Sequence, residues 1–267
     1  MLGVSRSEYY YEAKQQESEE KEIEKAVINC FKKHKGNYGR IRIRRELLTE
    51  GIDVSEYIIS RILKAHGLEA KSGRTGKKKK PRKTEQQYIE ENLIKDKFDV
   101  ETANYLWCSD ISELKCYRSK IYVCGIIDVA TRRIVGWSIS RNQTQKIVQD
   151  SLKMAAGRNP DRPQGAIFHS DRGCQYTARK TKELVEELGF RKSMSRPGTP
   201  SDNQPIESFW KTLKCELPSL SCLKFEEAQR RIIEYIEMYY NAGRLHSGID
   251  YHIPNEFLAL SKNLCKL

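Results

Sequence analysis

The sequence predicts an α/β protein with a mixed sheet, preceded by a small all-α unit, and three observations carry that expectation. Apolar residues recur at helical spacing up to His66, a strongly basic and apolar-poor stretch follows at residues 71–83, and from Trp107 onward strand periods alternate with helical ones. The chain has 267 residues, 38% of them hydrophobic, with 48 Lys and Arg against 36 Asp and Glu and a net charge of +12. At about 150 residues per domain that length suits roughly two domains. No apolar run approaches the ~18 residues of a spanning helix, and the opening MLGVSRSEYYYEAKQQESEE lacks a signal-peptide core and cleavage site. A cytoplasmic protein with no membrane partner is expected.

Eight cysteines (Cys30, Cys108, Cys116, Cys124, Cys174, Cys215, Cys222 and Cys265) are scattered without a C-x-x-C pair through a chain too long to need a disulfide scaffold. They read as reduced, small buried residues. His34 and His66 have no cysteine pair at finger spacing, which argues against structural zinc. The positive charge leans toward the N-terminal part, where residues 1–98 hold 23 basic and 16 acidic residues. Its densest run, Lys71 to Lys83 (KSGRTGKKKKPRK), has eight basic residues and no acid, too little apolar surface to fold alone, and marks a boundary. A solvated spacer and a phosphate-binding segment both fit it. On the second reading Lys77, Lys78, Lys79 and Lys80 contact DNA and release its counterions.

Upstream of that run, Glu19 to His34 places Ile23, Ala26, Val27, Cys30 and Phe31 on one helical face, and Gly36 is a stop signal. Tyr38 to Glu50 turns Ile43, Leu47 and Leu48 inward and Arg40, Arg42, Arg44 and Arg45 outward; GIDV is a turn, and Ser55 caps SEYIISRILKAHG. Helix, tight turn, helix suits a helix-turn-helix whose second helix, Ser55 to His66, enters the major groove with Glu56, Tyr57, Ser60, Arg61 and Lys64 outward. Helical bundles that bind no DNA share this pattern.

Beyond Trp107, CSDISELKCYR alternates, KIYVCGIIDVA is a nearly continuous apolar run, and RRIVGWSIS follows a turn at Ala130 to Arg132, giving three consecutive antiparallel strands. A helix capped by Thr144 runs to Ala156, GAIFHSD is a short strand, Ala178 to Leu188 is a helix ended by Gly189, and Arg191 to Met194 is another short strand. The Pro- and Gly-rich SRPGTPSDNQ leads into a helix from about Pro205, and Phe225 to Asn241 is the last long helix. The expected divisions are residues 1–70, a helical DNA-binding domain; 71–100, a basic linker; 101–222, the α/β core; and 223–267, a helix and tail packed on that core.

Three carboxylates come from distant segments of this layout: Asp110 within the first strand, Asp171 at the end of GAIFHSD, and Glu207 in the first turn of the helix after the loop. Hard divalent cations take oxygen ligands, and two ions ~3.5–4 Å apart clamp the attacking and leaving oxygens of a phosphoryl displacement, which calls for several convergent acids. An Asp at a strand end also commonly serves a turn or cap, so residue type alone leaves both duties open.

The spacing narrows the choice. There are 60 residues between Asp110 and Asp171 and 35 between Asp171 and Glu207, which resembles the D,D(35)E pattern of retroviral-type integrases and many transposases. The ordered words WCSDISELK, YVCGIIDVATRRIVGWSIS, HSDRGCQYTA, SMSRPGTPSDNQPIESFWKTLK and YYNAGRLHSGIDYHIPNEF resemble the signatures of the downstream-frame DDE transposase of the insertion-sequence-three family of bacterial mobile elements. HKGNYGRIRIRRELLTEGIDVS and VSRSEYYY resemble that family's N-terminal region, so the likeness covers nearly the whole chain.

The resemblance implies an RNase H-like mixed five-stranded sheet flanked by helices, which cuts DNA at element ends and joins those ends to a target. It implies two Mg²⁺ or Mn²⁺ ions per site, held by Asp110, Asp171 and Glu207, and a phosphate contact by Lys214, two helical turns beyond Glu207. Arg244, in the word NAGRLHSG with His246, has a DNA-contact and a structural reading. His169 and Ser170 flank Asp171 and would either hydrogen-bond a metal ligand or pack in the core, and Asn203 would cap the Glu207 helix or orient a phosphate. Gly173 and Gly198 read as turn residues, and Trp137, Phe209, Trp210, Tyr235 and Tyr239 as packing. Ser109 stands where the family commonly has Thr, and Gln204 and Pro205 where it has Ala after the DN pair; neither change touches a carboxylate. The family's partners are double-stranded DNA at element ends and targets, further copies of the chain on that DNA, and an upstream-frame protein supplying a coiled coil, for which no heptad run is present here. A nucleoid-associated location follows from those partners. An RNase H-like nuclease without strand transfer and a non-catalytic DNA-binding regulator are the alternatives.

Overall fold

The computed structural model describes residues 6–71, 90–94, 98, 100–196 and 199–264. These fall into two units, one within residues 1–72 and one within 73–267. Lys77 to Lys80 and Gly198 lie outside the described residues.

The first unit is all helical: α1 (Arg6–Lys33), α2 (Arg40–Thr49) and α3 (Glu56–Ala65). Val27, Phe31, Tyr38, Ile43, Leu47, Val54, Ile59 and Leu63 form its buried interior. The Ser55 hydroxyl accepts from the Ile58 N–H at 3.3 Å, so α3 starts where its cap predicts. By contrast, α1 starts at Arg6 and not at Glu19. Its first turns are rich in Glu, Lys and Gln, which favour helix without leaving an apolar stripe for periodicity to detect. Tyr38, expected at the start of α2, precedes it and stacks flat on His34, ring centroids 3.6 Å apart.

The second unit is built on a five-stranded mixed sheet in the order β3-β2-β1-β4-β5. Strands β1 (Leu106–Cys116), β2 (Ser119–Asp128) and β3 (Ile134–Ser140) form an antiparallel meander. Strand β4 (Ile167–Ser170) runs parallel to β1, and β5 (Arg191–Met194) parallel to β4. Alternation divides the sheet residues between two apolar layers. Trp107, Cys124, Ile126, Val135 and Phe168 pack with α4 (Gln145–Arg158) and with Tyr176 of α5 (Cys174–Thr177) and Leu184 of α6 (Arg179–Glu187). Leu106, Cys108, Ile121, Val123 and Ile127 pack with α7 (Gln204–Glu216) and α8 (Phe225–Glu234) on the other face. Thr144 occupies the N-cap of α4 without a side-chain cap bond.

Two glycines let the helices reach the sheet. A Cβ on Gly136 in β3 would fall 2.4 Å from the Ser151 carbonyl oxygen and 2.6 Å from Ala155 Cβ on α4. On the opposite face, a Cβ on Gly125 in β2 would fall 3.0 Å from the Trp210 ring of α7. Residues 90–94, expected within the linker, dock beside β5: the Leu93 N–H donates to Ser193 Oγ at 3.0 Å, and Ile94 is buried. An otherwise bare sheet edge is thereby covered.

The expected single helix from Phe225 to Asn241 is interrupted. After α8 the chain widens to a π-helix over Tyr235–Tyr240 and closes in α9 (Asn241–Gly243). The wider turn brings Tyr235, Ile236, Tyr240 and Asn241 all inward, and Asn241 exchanges two hydrogen bonds of 2.9 Å with the Ile134 backbone of β3. A final helix, α10 (Pro254–Leu264), goes beyond the sequence expectation. Its signals are Pro254 at the first position and Glu256 in the first turn.

Candidate active site

Strand register is what brings the first two carboxylates together. Ser109 pairs with Ser170 in the last rung of the parallel β1–β4 ladder, so Asp110 and Asp171 each follow a member of that rung, near enough for the charge of Asp171 to act on the Asp110 carboxyl. The Gly173 N–H donates to Asp171 Oδ1 at 2.9 Å and folds the turn that follows β4. On the far face of β1 the buried Ser109 hydroxyl meets Tyr176 Oη at 2.9 Å and donates to the Gly125 carbonyl at 3.1 Å. That contact ties α5, three residues past the Asp171 turn, to the strand of Asp110.

Glu207 arrives on α7, and three features seat this helix. Asn203 Nδ2 donates to the Ser109 carbonyl at 2.9 Å. Asp202, buried, accepts from the Arg196 backbone N–H at 2.7 Å and from its guanidinium at 2.8 Å, which closes the preceding loop. Gly125 lies opposite Asp110 in the β1–β2 register, and its missing side chain leaves the space that Trp210 fills. One turn of helix separates Trp210 from Glu207, so seating the indole aims the carboxylate.

The electrostatics follow from that crowding. Burial, then the charge of Asp171 and, more weakly, that of Glu207 push the Asp110 carboxyl up to about 7, against the Ile111 backbone N–H and, less strongly, the Trp210 indole N–H, which favour its ionised form. The indole N–H is buried and, among the described residues, makes no hydrogen bond of ordinary length and angle. Asp171 keeps a solvent-facing edge, yet burial still raises its carboxyl against the Gly173 N–H. Asp128 is a useful contrast: burial pushes it to about 6, but it accepts from the Asn104 and Thr131 backbone N–H groups and the Thr131 hydroxyl, a set that commits it to the turn after β2.

A half-buried Asp110 whose carboxyl is raised by the charges of Asp171 and Glu207 belongs to a donor set of hard oxygens whose cost a divalent cation relieves, so the residues present fit Mg²⁺ or Mn²⁺. The trio spreads wider than a single-ion cradle, since among the described residues the ligand group whose atoms all lie within 4.8 Å of one another is Cys30, His34 and Glu46.

The other expected site residues divide. Lys214 is exposed on α7, two turns or about 10 Å beyond Glu207, and exposed Lys211, which sequence reading passed over, lies on the same stripe between them. On α3, Tyr57, Arg61 and Lys64 form one exposed stripe opposite buried Ile59 and Leu63, while Ser60 is half-buried and Glu56 pairs with Arg40 at 3.0 Å. Asn203 stands at the N-cap position but makes no side-chain cap bond; its amide holds β1 instead. The Ser170 hydroxyl donates to the Asp171 backbone carbonyl, not to its carboxylate. His169 is fully buried, its ring nitrogens 2.9 Å from Ser193 Oγ and 3.0 Å from Ser195 Oγ, so it braces β4 against β5 and its neighbour and does not bind a carboxylate of the trio.

Arg244 departs furthest from a DNA contact. It is 4% exposed, and its guanidinium forks onto Glu216 of α7 at 2.7 to 3.0 Å. Gly125, Tyr176 and Trp210 are the positioning residues that periodicity could not rank, because each acts through a partner remote in sequence.

Burial of His169 has a measurable consequence. It drives the imidazole pKa from 6.5 down to about 4, so the unfolded chain binds this proton more tightly and stability is lost as pH falls through that window. At 1.36 kcal/mol per unit the loss is about 3 kcal/mol. The unfolding free energy of wild type relative to His169→Gln should therefore shrink by about that much between pH 7 and pH 4 in urea titrations; a constant difference would contradict it.

Residues 101–200 and 188–254 each match the family described as Integrase core domain, and residues 17–77 match the HTH-like domain. The chain is 37% identical over 245 residues to the transposase for insertion sequence element IS904 of Lactococcus lactis subsp. lactis (strain IL1403), covering 91% of this chain and 95% of that one. It is 31% identical over 232 residues to transposase InsF for insertion sequence IS3A of Escherichia coli (strain K12), covering 86% and 80%. Among solved structures, the HTLV-2 integrase catalytic core domain in complex with magnesium is similar over 58% of this chain and 94% of its own, at 15% identity and a TM-score of 0.39. With an integrase core behind an HTH-like domain, and transposases at this identity along almost its full length, the chain belongs to the IS3 family of DDE transposases.

Proposed function

We propose that this chain cuts DNA at the ends of its mobile element and joins the freed 3′ ends to target DNA at one site formed by Asp110, Asp171 and Glu207. The observation that supports the reading is that acids from the end of β4 and from α7 act by their charge on the half-buried Asp110 of β1. They would hold two Mg²⁺ or Mn²⁺ ions, which when bound supply charge stabilisation for in-line displacement at phosphorus. No side chain becomes covalently attached to DNA: water attacks phosphorus in the cut and a DNA 3′-hydroxyl in the joining step, and in each the P–O3′ bond breaks with its electron pair leaving on the 3′ oxygen. Lys211 and Lys214 hold the flanking phosphates along the α7 stripe. Asn203 and Trp210 keep Glu207 from swinging away, so the carboxylates need little reorganisation.

Residues 1–70 act as the DNA-reading domain, with Tyr57, Arg61 and Lys64 of α3 in the major groove and Lys77 to Lys80 on the backbone. Residues 71–100 connect it to the catalytic core of 101–222, and 223–267 brace that core. Two ends must be held at once, so the active species contains more than one copy, supported by an upstream-frame partner that supplies a coiled coil. No described helix is long and apolar enough to cross a membrane.

A strand-transfer assay with pre-cleaved element-end DNA and Mg²⁺ tests the reading. Joined products are expected. Cleavage without joining would identify a nuclease, and retardation of DNA without either reaction a regulator.

A further inference from the structure

The helical unit contains a second constellation that plays no part in the chemistry above. Cys30, in the last turn of α1, and His34, just past its end, are four residues apart, and the His34 N–H still donates to the Cys30 carbonyl at 3.2 Å, so the two lie one above the other. Glu46 meets them from α2: His34 Nε2 is 2.6 Å from Glu46 Oε2, while Lys33 Nζ is 2.7 Å from Oε1. One ligand atom from each of Cys30, His34 and Glu46 lies within 4.8 Å of the others. Cys30 and His34 are 5% and 7% exposed, in an interface otherwise filled by Val27, Phe31, Ile43 and Leu47. The His34 ring is held in plane against Tyr38, at an interplanar angle of 5°.

Sulfur, imidazole nitrogen and carboxylate oxygen form the donor set of a borderline divalent cation, and four ligands at about 2.0 to 2.3 Å from zinc stand roughly 3.3 to 3.8 Å apart, within reach of small side-chain adjustments here. Scanning for paired cysteines misses this set because its spacing is helical and its third member comes from another helix. We propose that Cys30, His34 and Glu46 bind one Zn²⁺ ion, with water in the fourth position, and that the ion clamps α1 to α2 in the DNA-reading unit. Lys33 keeps the outer oxygen of Glu46, and Tyr38 fixes the imidazole plane as a stacked neighbour of a ligand should.

Without the ion, burial and then the charges of Glu46 and Glu50 push the Cys30 thiol up to about 12, so it stays protonated. Burial also works to raise Glu46, but the hydrogen bonds from His34 and Lys33 prevail and hold it below the ordinary carboxylate range. Loading the site expels the thiol proton, so binding tightens as pH rises.

The test uses the full chain, stripped with a chelator, with excess Mg²⁺ to occupy the carboxylates of the other unit, and Co²⁺ as the optical probe. One equivalent of Co²⁺ should give a thiolate-to-metal charge-transfer band with tetrahedral d–d absorption, Zn²⁺ should bleach it, and Zn²⁺ should raise Tm. Cys30→Ser should abolish the band, and Glu46→Gln should weaken Co²⁺ binding by about tenfold or more. Cys174→Ser with Cys222→Ser, which removes two exposed thiols, should leave the band intact. Absence of the band from the wild-type chain, which needs no variant to fold, or its survival in Cys30→Ser, would overturn the proposal.

Discussion

Asp110→Asn, Asp171→Asn and Glu207→Gln each lower strand transfer by at least about a thousandfold, because each removes several kcal/mol of transition-state charge stabilisation at 1.36 kcal/mol per factor of ten. DNA retention in a gel-shift assay is expected to hold or tighten slightly, since a negative charge beside phosphate is lost. The Asp110 variant carries an additional signature. Its carboxyl is raised in the fold to about 7, so ionisation there opposes folding, and the penalty grows as pH rises from the unfolded value toward 7. Neutral Asn removes it, and Asp110→Asn should melt at a higher temperature than wild type at neutral pH while being inactive. Wild-type joining by any of the three variants would remove that residue from the site.

Arg244→Ala destabilises the fold by about 3 to 5 kcal/mol, the cost of leaving a buried ionised partner uncompensated. Glu216 would retain the Tyr235 hydroxyl at 2.9 Å and lose the whole guanidinium fork. Because α7 carries both Glu216 and Glu207, joining activity should fall together with stability. Arg244→Met combined with Glu216→Leu should recover most of the loss, since replacing both members of a buried pair with apolar groups leaves no orphan charge. Urea unfolding distinguishes the outcomes: weakened DNA binding with unchanged stability would return Arg244 to the DNA surface.

Much of the molecule was legible before folding was considered. The apolar run of β2, the alternation of β1, the Ser55 cap and the glycine stop at Gly36 are local signals whose physics needs no partner. The carboxylate spacing within an ordered set of words made Asp110, Asp171 and Glu207 readable as a group. Where local signals misled, a remote partner had taken over. Asn203 looks like a cap because it precedes a helix, yet the β1 carbonyl captures its amide. His169 lies two residues before Asp171, but its ring is captured by Ser193 of β5 and by Ser195 just beyond that strand, partners more than twenty residues away. Arg244 reads as a surface cation in a polar word, and only the turn after α9 returns it to α7.

The sequence by itself determined the five strands and most of the helices in their order, the excess of basic charge and the three acids proposed for the site, because backbone propensity, apolar period and charge are properties of short segments. Only the tertiary structure decided which polar side chains stay at the surface and which are buried to brace the fold. That choice depends on desolvation and on donors that arrive from other strands and helices: an Arg, a His and an Asn from the same words become interior braces once buried, while Cys30, His34 and Glu46, unremarkable in sequence, are brought within 4.8 Å of one another once α1 and α2 are packed together.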